Sequence, residues 1–82
     1  MEIKVLGTGC AKCKKLYAEA EQAVAHARVP VTLSKVEQLD EIMRYGVMMT
    51  PALVIDGEVK SSGRIPKAAE IVSWITTALA KE

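Results

Sequence analysis

Apolar and polar residues alternate along EIKVLG (2–7): Ile3 and Val5 stand against Glu2 and Lys4, a period of two that predicts a strand broken by Gly7 and Gly9. From Ala11 to about Arg28 the period lengthens. Cys13, Leu16, Tyr17, Ala20, Ala23, Val24 and Ala27 recur at steps of three and four, one apolar stripe, with Lys12, Lys15, Glu19, Glu21 and Gln22 largely off it. This is a helix. VPVTLSKV (29–36) opens with Pro30 as a breaker and supplies Val31, Leu33 and Val36 to a second strand. EQLDEIMRYG (37–46) predicts a short helix with Leu39, Ile42 and Met43 as its apolar face and Gly46 as its stop. PALVID (51–56) is an unbroken apolar run, the mark of a strand buried on both sides. Asp56-Gly57 signals a tight hairpin, and EVKSS (58–62) is polar enough for the returning edge strand. After Gly63, Pro66 suits a first helical turn, and Ala68, Ile71, Val72, Ile75, Ala78 and Leu79 form the stripe of a final helix.

The resulting order is β-α-β-α-β-β-α. The first two crossovers imply parallel pairing and the hairpin adds an antiparallel edge, so the expected fold is an α/β three-layer sandwich: one four-stranded mixed sheet with helices on both faces. Eighty-two residues suffice for one domain spanning 1–82. Half of the residues are apolar, Phe is absent, and Trp74, Tyr17 and Tyr45 are the aromatics, so the core must be aliphatic. The net charge of +1, from 11 basic and 10 acidic residues, gives no basic patch interleaved with aromatics, so no nucleic-acid partner is expected. MEIKVLG is too short and too charged for a signal peptide, and no apolar run reaches the roughly 20 residues of a membrane span. A cytoplasmic protein without a membrane partner is expected. The final helix is needed to cover one face of the sheet, so the chain is read as a monomer.

The chemistry lies in LGTGCAKCKKLYAEA (6–20), whose Cys10 and Cys13 are the two cysteines of the chain. A permanent staple is disfavoured: cytoplasmic thiols are kept reduced, and so short a loop removes little chain entropy. A structural zinc site needs four protein ligands, and the nearest further candidate, His26, lies deep in the first helix, where it reads as a solvated residue. No bound metal or other cofactor is expected. A thiolate at a helix start, by contrast, faces unpaired N–H groups and a partial positive charge that lower its pKa. Lys12, Lys14 and Lys15 add little, being solvated and screened. Cys10, in the turn into the helix, should be exposed and act as nucleophile. Cys13 continues the apolar stripe, should be more covered, and would resolve the mixed disulfide. Two thiolates can also hold copper(I). TGCAKCKKL superficially resembles the segment between first strand and first helix of small heavy-metal-associated domains, so a soft-metal carrier using both cysteines stays open on this motif alone.

VMMTPALVIDG (47–57) separates the two readings. Proline is tolerated at a strand's first residue but not in its middle, and X-Pro is the one place where a cis bond is accessible. A cis Pro51 would leave the backbone of Thr50 free to pair with an extended partner chain. With CAKC at 10–13, TP at 50–51, ALVIDG at 52–57 and Gly63 after the hairpin, the chain resembles the thioredoxin and glutaredoxin superfamily, and most of all its small single-domain redox-active disulfide proteins. The metal-carrier family has a β-α-β-β-α-β order and ends in a strand, whereas this chain ends in PKAAEIVSWITTALA before its last two residues.

The resemblance implies a thioredoxin-like thiol–disulfide oxidoreductase working through a redox-active Cys10–Cys13 disulfide. It implies substrate disulfides, on proteins or small molecules, and an upstream flavin- or dithiol-dependent reductase. It assigns Thr50 and Pro51 to gripping the substrate backbone. Met49, with Met48, would border the site as an adaptable apolar rim, unless one of them fills the core. Gly63 would let a partner chain approach; Arg64 reads more as a solvated surface arginine than as a steering charge. Thioredoxins place a tryptophan before the first cysteine and Gly-Pro between the two, where this chain has Gly9 and Ala11-Lys12, so the redox potential does not carry over. The buried aspartate that thioredoxins use to accept the resolving thiol's proton aligns with Lys4, which cannot do so while charged. SSGRIP (61–66) lacks the glutathione-binding segment of glutaredoxins.

Overall fold

Strand and helix segments follow the expected order: β1 (Glu2–Leu6), α1 (Ala11–Ala27), β2 (Thr32–Val36), α2 (Leu39–Arg44), β3 (Ala52–Ile55), β4 (Glu58–Ser62) and α3 (Ala68–Ala80). The computed structural model describes residues 1–8 and 11–80. The strands form a four-stranded sheet in the order β2-β1-β3-β4. β1 and β2 run parallel, with Val5 opposite Lys35 and Leu6 opposite Val36.

β3 differs from expectation. It pairs antiparallel with β1, Leu6 opposite Ala52 and Ile3 opposite Ile55, and antiparallel with β4. The second crossover is therefore not a parallel one. A parallel return must travel the length of the sheet, roughly 16 Å for a five-residue strand. The six residues of α2 rise about 9 Å. The connection stays at the end where β2 finishes, and β3 starts from that same end.

Alternation along the strands separates two cores. Ile3, Val5, Leu53 and Ile55 pack under Leu16, Ala20, Ala23, Ile71 and Ile75 of α1 and α3. Leu6, Ala52 and Val54 face the other way, with Val36 and Ile42 of α2. Each fully buried leucine or isoleucine contributes roughly 1.5–3 kcal/mol. The apolar face expected for α2 is corrected: Ile42 is buried, but Leu39 and Met43 are 64% and 65% exposed. Leu39 and Met43 stand one turn apart on a helix of about a turn and a half, and the sheet touches it along the neighbouring line.

Pro66 is corrected as well. It is buried but precedes α3 by two residues. The Lys67 carbonyl accepts from the N–H groups of Glu70 and Ile71, and the Ala68 N–H donates to Glu19 Oε1 at 3.3 Å. A carboxylate from α1 thus caps α3, where the exposed amides and helix dipole favour negative charge.

Candidate functional site

α1 begins at Ala11, so Cys13 lies in its first turn, with its sulfur turned inward; the residue is 6% exposed, as the apolar stripe requires. Cys10, expected to be exposed at the helix start, lies outside the described residues, as does Gly9. Lys12, Lys14 and Lys15 are exposed, and so is His26.

The end of β1 supplies the floor. Gly7 is buried, and its N–H donates to the Val36 carbonyl at 3.0 Å, which fastens the chain just past β1 to the last residue of β2. A cavity of about 150 Å³ borders Cys13 and is lined also by Val5, Gly7, Lys14, Lys35 and Glu37. Lys35 reaches across this edge, its Nζ 4.6 Å from the centre of the Tyr17 ring on α1. Sequence reasoning did not single out Lys35 or Glu37. Their signal is the parallel register that sets Lys35 opposite Val5, and a register exists only once the strands are paired.

Because Leu6 pairs with Ala52, the residues just beyond each strand, Gly7 and Pro51, sit at the same end of the sheet. The Thr50–Pro51 peptide bond is cis. Pro51 is buried and Thr50 exposed. The Pro51 carbonyl accepts from the Gly63 N–H at 2.9 Å, so the end of β4 is tied to the start of β3. Gly63 has φ +74, a conformation that favours glycine, and a Cβ there would approach Met49 atoms to 3.1–3.2 Å. Met49 therefore lies over Gly63. Met48 is 96% exposed and Met49 62%, so neither fills the core. Arg64 is exposed on the surface, where it pairs with Glu70 at 3.1 Å, and its Cζ is 5.8 Å from the Trp74 ring centre.

Lys4 points to the α2 side of the sheet. Its Nζ donates to the Tyr45 hydroxyl at 3.1 Å and pairs with Glu2 at 3.3 Å. The Tyr45 hydroxyl, and after it the Glu2 carboxylate, hold the Lys4 ammonium above the usual lysine range. It stays charged and does not line the cavity beside Cys13. Among the described residues, no group of three or more His, Cys, Asp or Glu side chains is placed to hold a metal ion, and no helix is long and apolar enough to cross a membrane.

A mixed sheet of this order, with helices on both faces, a C-x-x-C at the first helix and Thr-Pro at the mouth of the antiparallel strand, is a thioredoxin-like α/β architecture. The comparisons agree. The sequence profile of the thioredoxin domain matches residues 1–76. Over 71 residues the chain is 37% identical to thioredoxin of Methanothermobacter thermautotrophicus, covering 87% of this chain and 92% of that protein. Over 69 residues it is 33% identical to thioredoxin of Methanocaldococcus jannaschii, covering 84% of this chain and 79% of that one. The chain belongs to the thioredoxin family and is a thioredoxin-like redox protein.

Proposed function

We propose that the 82 residues act as one monomeric, cytoplasmic thiol–disulfide oxidoreductase whose redox group is the Cys10–Cys13 pair itself, with no bound cofactor. The observation that carries this reading is the buried Cys13 in the first turn of α1, at the end of the sheet where Pro51 leads into β3. The Cys10 thiolate, favoured by the unpaired amides of that turn, attacks a substrate disulfide. One Cys10–substrate S–S bond forms, the substrate's own bond breaks, and the departing thiolate takes up a proton. Cys13 loses its proton and attacks the Cys10 sulfur, closing the Cys10–Cys13 bond and releasing the second substrate thiol. An upstream flavin- or dithiol-dependent reductase then restores the dithiol.

Thr50 and Pro51 hold an extended substrate segment, with Met49 and Gly63 at its border. The Cys13 proton needs an acceptor, and Lys4 is charged and on the wrong side of the sheet. We assign that part to Glu37, the carboxylate among the described residues lining the Cys13 cavity. Mutation of each cysteine tests the division of labour. Cys10→Ser should abolish insulin-disulfide reduction, whereas Cys13→Ser should accumulate mixed disulfides; equal trapping by the two variants refutes it.

A further inference from the structure

We infer that Gly7 is a positioning residue for Cys13: its missing side chain is the space in which the resolving sulfur sits. The inference rests on the exchange reading above, and it starts from a difference among the glycines. Gly46, Gly57 and Gly63 have φ of +75, +82 and +74, so the backbone itself favours glycine there. Gly7 is not among the positive-φ glycines. What demands glycine at position 7 is its neighbour. A Cβ built on Gly7 would fall on Cys13 Sγ and lie 3.1 Å from Cys13 Cβ.

Gly7 cannot retreat to make room, because its N–H is held by the Val36 carbonyl at 3.0 Å. The cavity of about 150 Å³ beside the sulfur, lined by Val5, Lys35 and Glu37, offers it an alternative position. A methyl group at position 7 would therefore turn Cys13 about its χ1 into that cavity and leave the fold in place. The consequence falls on one chemical step. Attack of Cys10 on a substrate does not involve the Cys13 sulfur as reactant. In resolution the Cys13 thiolate must approach Cys10 Sγ in line with the substrate bond it displaces, and there a misplacement of about 1 Å can lower the rate by up to about a hundredfold.

The test mixes reduced protein with an aromatic disulfide that releases a coloured thiolate. The first equivalent reports attack by Cys10, the second resolution by Cys13. Gly7→Ala should leave the first phase within about twofold and slow the second by at least about tenfold. A folded Gly7→Ala protein with an unchanged second phase overturns the inference. Thermal unfolding of the reduced proteins supplies a second arm that holds even where Gly7→Ala folds poorly. In a Cys13→Ala background the sulfur is gone, and the loss of thermal midpoint caused by Gly7→Ala should largely disappear; the same loss in both backgrounds overturns the inference. A wild-type protein that releases no second equivalent would overturn the exchange reading instead, while the unfolding arm would still decide the packing of Gly7 against Cys13.

Discussion

The two faces of the sheet differ in how much helix covers them, and β3 shows both at once. Leu53 and Ile55 look into a core shared by α1 and α3, helices of 17 and 13 residues. Ala52 and Val54 look towards α2, whose six residues bury Ile42 and leave Leu39 and Met43 outside. Apolar area removed from water scales with helix length, so the two-helix face carries most of the stability and the α2 face little of it. The site draws on both. Cys13 rides on α1, anchored in the thick core, whereas Thr50 and Pro51 arrive along the chain that leaves α2.

Truncations on either face give the largest test of this contrast. Leu53→Ala should lose about 4 kcal/mol, near the top of the range for buried leucines, because the site is enclosed by two helices. Ile42→Ala should lose about 2 kcal/mol, since its half-exposed surroundings can close over the gap. Urea midpoints at constant slope measure both, and equal losses would break the comparison.

The same contrast explains what the sequence made legible. Strict periods give away β1 and α1, the Asp56-Gly57 pair gives away the hairpin, and Cys13 is legible as a covered residue because it continues the stripe of Leu16 and Ala20. On the α2 side a turn and a half is too short for a stripe to announce its direction, so the pattern points Leu39 and Met43 inward and β3 parallel, and neither matches the structure. Lys35 and Glu37 enter the site through strand register, and Gly7 through contact with a residue six positions on. Neither leaves a local pattern.

The thick face is open beside Cys13, and there a functional substitution is expected to outweigh a structural one. Glu37→Gln removes the proton acceptor proposed for the resolving thiol. The second thiolate phase should slow by about tenfold near neutral pH, below the usual hundredfold or more for general bases because Glu37 is exposed and water competes. An unchanged rate would return the role to solvent.

A smaller effect of opposite sign sharpens the picture. Ser61 stands opposite Leu53 on β4 and shares its face, and among the described residues its Oγ is buried with no hydrogen-bond partner. Removing an unpaired buried hydroxyl relieves its desolvation, so Ser61→Ala should raise stability by about 1 kcal/mol. A loss instead would mean that the hydroxyl gains a bond, for instance to water, in solution.

The smallest effect expected sits on the outer surface of the thick face, where Arg64 joins Glu70 of α3. The hydrogen bonds from Arg64 hold the Glu70 carboxyl below the usual carboxylate range. A carboxyl with a depressed folded-state pKa adds stability above its unfolded value, about 4.3, and loses it as the pH falls through the folded pKa. Glu70→Gln should therefore lower the thermal midpoint slightly at pH 7. The difference should shrink in high salt, because the pair is exposed. It should vanish in acid, where the wild-type carboxyl is itself neutral. A deficit that persists in acid would mean that Glu70 acts through packing or helix propensity and not through its charge.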